Sequence, residues 1–341
     1  MRIICVIGVL AILSYACSSE VVNNNKHVEF AIVIHGGAGP MASSAMSAET
    51  QLSYTAALDS ALEIGLNALQ EGKSSIDAVC NVIVYMEDNP LFNAGRGAVF
   101  THKGKNELDA SIMSGIDLSA GAATGITDVK NPILLARMIM EKSKHVFLSG
   151  QGASEFAIEQ GLEMADSAWF YTDKSYQSLQ KALEQEKALT YEIFPAPPLA
   201  DKYGTVGCVA LDKNGNLAAG TSTGGMTNKS FGRIGDTPII GAGTYANNKT
   251  CAVSATGHGE FFIRYTVAHD ISALMEYKNM TVQEAADEVI FSKLEPVKAS
   301  GGVICLDKDG NYAMSFNSSG MFRAFGNSNG EKIVRIFKED Q

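Results

Sequence analysis

The residues best suited to nucleophilic chemistry in this chain are hydroxyls and glycines rather than metal ligands. Thr205 follows Gly204 directly and opens the apolar stretch TVGCVAL (205–211). If the backbone broke between them, Thr205 would become an amino terminus, its hydroxyl the nucleophile and its own α-amine the base. That pairing needs neither histidine nor metal. An α-amine titrates near about 7.7–8.0, so much of it accepts a proton at neutral pH. The preceding stretch, FPAPPLADKYG (194–204), has three prolines and no periodicity, which marks a loop. Spacing alone leaves the plain reading open, a Gly-Thr pair that merely begins a strand.

Other motifs are weaker. GTSTG (220–224) fits the G-x-S-x-G elbow, but that elbow needs a helix immediately after it, and GMTNKSFGRIGD cannot start one; Ser222 reads as a strand or turn residue. HGGAG (35–39) shares features with oxyanion loops and phosphate cradles, yet lacks the Walker lysine and the full dinucleotide glycine pattern. A tight turn with His35 packed beside it stays equally open. His27, His35, His102, His145, His258 and His269 never pair at ligand spacing, which argues against a catalytic transition metal.

The elements that must position these residues are partly visible. EFAIVIHGG (29–37) reads as a buried strand ending in a glycine turn. Leu58, Leu62, Leu66 and Leu69 recur at helical spacing, as do Ile76, Val79, Ile83 and Met86 behind a Ser74-Ser75 cap. Segments 131–143, 153–164, 176–188, 260–277 and 281–294 also read as helices. VALDKNGNLAAGTSTGGM (209–226) aligns without gaps on ICLDKDGNYAMSFNSSGM (304–321), each with an Asn-Gly or Asp-Gly between apolar runs, the signature of a hairpin. In the second copy Ser300 stands at the place of Thr205. Helices, strands, helices, strands is not the regular alternation of a doubly wound fold, so an α+β sandwich is expected, with residues 31–341 as one domain.

Composition narrows the classes. The chain has 341 residues and a formal charge of −10, with no Lys/Arg-rich run to neutralise phosphates, which excludes nucleic acid as a partner. Met1-Arg2, the apolar run Ile3–Leu13 and Ser14-Tyr15-Ala16 read as an export signal over 1–16, too short for a comfortable membrane span. Ala16-Cys17 followed by a polar run to residue 30 resembles a bacterial lipoprotein signal and tether. Cys17 would then be lipidated and the protein anchored in the envelope; ordinary secretion to the periplasm is the alternative. The four widely spaced cysteines Cys80, Cys208, Cys251 and Cys305 sit in apolar contexts and read as buried free thiols.

The stretch from Gly204 through TYANN, with SATGHGEFFIR (254–264) after it, resembles the N-terminal-threonine hydrolases of the plant-type asparaginase and isoaspartyl peptidase family. IHGGAG (34–39), PLFNAGRGAVFT (90–101), ELDASIMSG (107–115) and GGVICLDKDGN (301–311) extend the likeness to nearly everything after residue 30. The resemblance implies a four-layer αββα sandwich of the N-terminal nucleophile hydrolase type. It also implies autocleavage into a 17–204 α subunit and a 205–341 β subunit, and a dimer of αβ units. Residue by residue it makes Thr205 the nucleophile and Thr223 its orienting neighbour. Thr256 and Gly257 form the oxyanion hole, Arg233 and Asp236 grip the α-carboxylate and α-amine of the substrate, and Gly259 and Asn93 complete the pocket. No catalytic cofactor is implied. A structural sodium on the main chain of Met86, Glu87, Asn89, Phe92, Ala94 and Arg96 is. The expected substrates are isoaspartyl dipeptides and asparagine. Glycosylasparagine is the alternative, as is an uncleaved lipoprotein that binds aspartyl ligands; without the motif, Arg233 and Asp236 would read as a surface ion pair.

Overall fold

The computed structural model describes residues 27–41, 46–189 and 204–340. The proposed leader, Cys17, the start of the tether and nearly all of the proline-rich loop lie outside the described residues. The first strand, β1 (Ala31–Gly39), is buried along its whole length. Helix α1 (Ala48–Gln70) begins at Ser47, whose hydroxyl accepts from the Thr50 N–H, and α2 (Ser75–Asp88) begins with a reciprocal capping box between Ser74 and Asp77. Leu58, Leu62 and Leu69 of α1 and Val79, Ile83 and Met86 of α2 are buried, the stripes that the spacing predicts.

Strands β2 (Leu108–Ser114) and β3 (Ala120–Ile126) come next, then α3 (Pro132–Lys142), β4 (Phe147–Ser149), α4 (Gly150–Glu159), α5 (Ser167–Phe170) and α6 (Asp173–Leu189). The β2–β3 pair is not signalled by apolar alternation, because β3 is built from Ala, Gly and Thr (AGAATGI). The small residues have a packing reason. A Cβ on Gly121 would overlap the Ala136 carbonyl of α3, so α3 lies directly on the strand backbone.

After Gly204 come β5 (Val206–Leu211), β6 (Leu217–Thr223), β7 (Thr244–Ala246) and β8 (Cys251–Gly257). Helices α7 (Gly259–Arg264), α8 (Val267–Lys278) and α9 (Val282–Asp287) follow, the last running into a π turn over Glu288–Leu294. Strands β9 (Gly301–Asp307), β10 (Tyr312–Phe316), β11 (Gly320–Asn327) and β12 (Lys332–Phe337) complete the described chain. The segment 260–277 is two helices rather than one: Thr266, with φ of 47°, turns the chain between α7 and α8.

Both hairpins read from the internal echo form, and the reason is the same in each. Asp212 Oδ1 accepts from the N–H of Asn214 and Asn216, and Asp307 Oδ1 from those of Asp309 and Asn311, so one side chain of the LDK(N/D)GN motif builds each turn.

The strands form an eight-stranded sheet, in the order β12-β11-β1-β5-β6-β2-β3-β4, and a four-stranded sheet, β10-β9-β8-β7. Alternation along β5 sorts its residues into two cores. Val206, Cys208 and Ala210 pack with α1 and α2 residues such as Leu62 and Val79. Val209 and Leu211 pack instead with Ile304 and Leu306 of the smaller sheet. A third cluster joins Val253 and Val303 of that sheet to Ile271 of α8 and Ala285 of α9. Cys80, Cys208, Cys251 and Cys305 are buried and free, and burial pushes the Cys80 thiol up to about 12. Among the described residues no helix is long and apolar enough to cross a membrane.

Candidate active site

Pairing of β5 with β6 sets Val206 opposite Ser222, so Thr205, one residue before β5, meets Thr223 at the end of β6. Their hydroxyl oxygens lie 3.1 Å apart. Thr223 Oγ1 also accepts from the Gly225 N–H at 3.0 Å, which orients its remaining hydrogen-bonding capacity toward Thr205. Ser222, one residue earlier, points to the opposite face of the strand, where its buried hydroxyl donates to Glu87 Oε1 at 2.6 Å. Burial pushes that carboxyl up to about 8. Ser222 is thus a strand residue, as the missing helix predicts.

Thr205 is held from behind as well. His35, buried in β1, lies 3.1 Å by Nδ1 from the Thr205 carbonyl and 3.0 Å by Nε2 from Ser254 Oγ. A carbonyl cannot donate, so Nδ1 carries the proton and Nε2 accepts from Ser254. Burial drives the imidazole down to about 3, the bond to the Thr205 carbonyl opposing only part of that shift, so the ring stays neutral. HGGAG is therefore not the expected turn but the end of β1, whose pairing with β11 shifts register between His35 and Gly37 and continues to Gly39, and His35 reaches the backbone of Thr205. Sequence spacing carries no signal of that contact.

The Gly204–Thr205 position is tightly enclosed. Gly204 has φ of 118°, and a Cβ there would lie 2.7 Å from the Cβ and the N of Asn93. Gly37, with φ of 109°, faces it, and a Cβ on Gly37 would lie 2.5 Å from Gly204 Cα and N. Both positions require glycine on conformation and on space. The side chain of Asn93 ties two loops together, its Nδ2 donating to the Gly225 carbonyl at 2.8 Å and its Oδ1 accepting from Val99 N at 2.9 Å.

Asn93, Gly204, Thr205, Thr223, Arg233, Asp236, Thr256 and Gly257 all line one cleft. Thr256 Oγ1 accepts from the Ala38 N–H at 3.3 Å, which leaves its hydroxyl proton to be donated. Gly257 ends β8, and a Cβ on it would lie 2.6 Å from the Ser300 carbonyl. Gly259 stands behind the cleft. A Cβ there would come within 2.7 Å of Arg233 Nη2 and 3.0 Å of Asp236 Oδ1, so its bareness lets these two side chains share the site.

Arg233 makes its ion pair with Glu260, Nε and Nη2 donating to the two carboxylate oxygens at 2.9 and 3.0 Å. Glu260 thus supplies the ion pair of Arg233, and Asp236 is buried rather than at the surface. The Glu260 grip uses two of five guanidinium N–H groups and fixes the plane of the fork, as bidentate carboxylate recognition requires. Glu260 lies 27 residues from Arg233, and only the likeness of SATGHGEFFIR marked its neighbourhood.

The chain from Met86 to Arg96 runs from the end of α2 into a single 3₁₀ turn, Gly95–Gly97. A Cβ on Gly95 would overlap the Glu87 carbonyl, and one on Gly97 would overlap the Phe92 carbonyl and lie 2.8 Å from that of Pro90. Backbone oxygens thus crowd the space that two missing side chains leave. Carbonyls of Met86, Asn89 and Ala94 accept N–H bonds within the same loop. Among the described residues no cluster of three or more His, Cys, Asp or Glu is placed to hold a metal.

The threonine pair at the head of a strand, the enclosed Gly204–Thr205 bond and the arginine that shares the cleft with Thr256 and Gly257 all lie within the family match, which spans residues 28–336 of the chain and is described as Asparaginase. The chain belongs to the asparaginase family. It is similar to the isoaspartyl peptidase of Escherichia coli strain K12, 46% identical over 309 residues that cover 90% of this chain and 96% of the relative. The isoaspartyl peptidase of Salmonella typhimurium is 47% identical over the same length, 90% and 98% of the two chains. The isoaspartyl peptidase/L-asparaginase of Homo sapiens is 40% identical over 291 residues, 85% and 91%.

Proposed function

We propose that this protein is a self-activating amidohydrolase that cleaves isoaspartyl dipeptides and L-asparagine through an acyl-enzyme on Thr205. The observation that carries the reading is the pair of threonine hydroxyls 3.1 Å apart, directly after a glycine whose backbone is pressed between Gly37 and Asn93.

In maturation, Thr205 Oγ1 attacks the Gly204 carbonyl carbon. The C–N bond breaks as the ester forms, the hydroxyl proton passes to the leaving nitrogen, which becomes the new α-amine, and water hydrolyses the ester to free the Gly204 carboxylate and restore the Thr205 hydroxyl. Only glycine fits the positive φ and the close walls of Gly37 and Asn93 at this position.

In turnover, the α-amine takes the proton of Thr205 Oγ1 as it attacks the side-chain amide carbon of the substrate. Thr223 orients the nucleophile, while the Thr256 hydroxyl and the Gly257 N–H receive the developing oxyanion. Each such donor is worth about 2.7–4 kcal/mol. The proton passes to the leaving amine or ammonia, and water deacylates the enzyme. Arg233, its plane fixed by Glu260, binds the α-carboxylate, and Asp236 binds the α-ammonium.

The crowded backbone oxygens of the 86–97 loop suit a hard monovalent cation. Carbonyls of Met86, Glu87, Asn89, Phe92, Ala94 and Arg96 would hold it, bracing the loop that carries Asn93 and taking no part in bond making. The two sheets with helices on their outer faces fit the αββα layering of one domain, assembled as a dimer of αβ units. Export to the periplasm, or anchorage through Cys17, completes the proposal.

The test is ammonia release from asparagine and aspartate release from an isoaspartyl dipeptide, with GlcNAc-asparagine run beside them. Thr205→Ala should be inactive on all three. Turnover confined to GlcNAc-asparagine would replace the substrate assignment, and an active Thr205→Ala would remove the nucleophile.

A further inference from the structure

Behind the Thr205–Thr223 pair lies a charge that the reaction scheme leaves unused. Lys229 is almost completely buried. Its ammonium donates to the Glu107 carbonyl at 2.9 Å and stands 3.9 Å from Glu107 Oε2. It also underlies the turn that follows β6, because a Cβ on Gly225 would be 3.1 Å from Nζ. Gly225 is the residue whose N–H donates to Thr223 Oγ1 and whose carbonyl accepts from Asn93.

Asp109, the cross-strand partner of Thr223, attracts the same ammonium. Its Oδ1 is occupied by the Thr124 hydroxyl and the Gly125 N–H, and its buried Oδ2 has no hydrogen-bond donor among the described residues. The ammonium is therefore compensated by a carbonyl and by carboxylates outside ideal contact. Burial accordingly lowers the Lys229 pKa, against the pull of Asp109 and Glu107. A buried cation so loosely paired is costly, and an apolar side chain of equal length would fill the turn at lower cost.

We infer that Lys229 is a positioning residue whose buried positive charge, one hydrogen-bonded turn behind Thr223, offsets the carboxylates of Asp109 and Glu107 and so favours the neutral, proton-accepting form of the Thr205 α-amine. The inference rests on the proposed amine-base reading of Thr205. Among the described residues, the charged groups around that turn and cleft are Lys229, Asp109 and Glu107 behind Gly225, and Arg233 and Asp236 in the cleft with Glu260 on Arg233. His35 beneath Thr205 is neutral.

The experiment is the pH dependence of kcat/KM on asparagine for matured wild type, Lys229→Met, Lys229→Arg and Asp109→Asn. Removing the cation should move the acid limb up by about half a unit to one unit and lower kcat near pH 7 several-fold, with KM little changed. Lys229→Arg should keep the wild-type limb. Asp109→Asn should move the limb the opposite way, and Lys229→Gln, which also removes the cation, carries the test if the methionine variant does not mature. Active variants whose acid limbs coincide with wild type would overturn the inference and leave Lys229 a turn filler, as would a downward shift in Lys229→Met or an upward one in Asp109→Asn. A wild type with no turnover would instead defeat the proposed function.

Discussion

Acid should weaken this fold through His35 in a way that can be worked out from its surroundings. The ring is fully buried, and its pKa falls from 6.5 to about 3. Between those values the unfolded chain binds a proton that the folded chain refuses. The stabilising contribution is thus complete above pH 6.5 and is lost as pH falls from 6.5 towards 3. At pH 4.5 the difference is two pH units, or about 2.7 kcal/mol at about 1.36 kcal/mol per unit. The clean comparison is His35→Asn, in which an amide N–H can still serve the Thr205 carbonyl but nothing titrates. Loss of the acceptor for Ser254 costs the variant about 1–3 kcal/mol at neutral pH. Both chains should carry Thr205→Ala, so that each unfolds as one covalent chain. In urea unfolding at pH 7.5 and 4.5, the histidine protein should lose about 2–3 kcal/mol more than the asparagine protein. Equal losses would mean that His35 is charged in the folded state and that the tautomer assigned from its two hydrogen bonds is wrong.

Three further outcomes are expected. Thr256→Ala should lower kcat by about 10²–10³ with KM nearly unchanged, because a donor aimed at the oxyanion acts in the transition state; a change confined to KM would argue against that role. Gly37→Ala should slow maturation, since its methyl group would displace Gly204 at the bond to be broken, and unchanged cleavage kinetics on gels would show that this contact is unimportant. Asn93→Ala should lower the melting temperature and impair turnover together, because it releases both the Gly225 carbonyl and the Val99 N–H; an effect on turnover alone would make Asn93 a pure substrate ligand.

The chain alone offered Gly204-Thr205 as a candidate, while Thr223, Thr256, Arg233 and Asp236 entered through the family resemblance. Gly204-Thr205 stands at a break in character between a proline-rich stretch and a strand, and the alternation along β5 correctly divides Val206, Cys208 and Ala210 from Val209 and Leu211. The two hairpins were legible because one aspartate in each builds the turn locally. What sequence could not carry is contact across distance. The His35 bond to the Thr205 carbonyl spans 170 residues, and the Glu260 grip on Arg233 depends on how α7 meets the 230–236 loop. Strand β3 was silent because close approach of α3 selects small residues over the β-branched ones that mark strands. The break at Thr266 was silent because a threonine in the left-handed region leaves no proline or glycine to announce it.

The most direct test of the account is the mass of the purified protein after incubation at neutral pH, with sequencing of any new amino terminus. Two fragments, one beginning Thr205-Val206-Gly207, are predicted for the wild type, and one unbroken chain for Thr205→Ala. A wild-type chain that turns over asparagine while its Gly204–Thr205 bond stays intact would contradict the central claim, because Thr205 would then have no free amine to act as base.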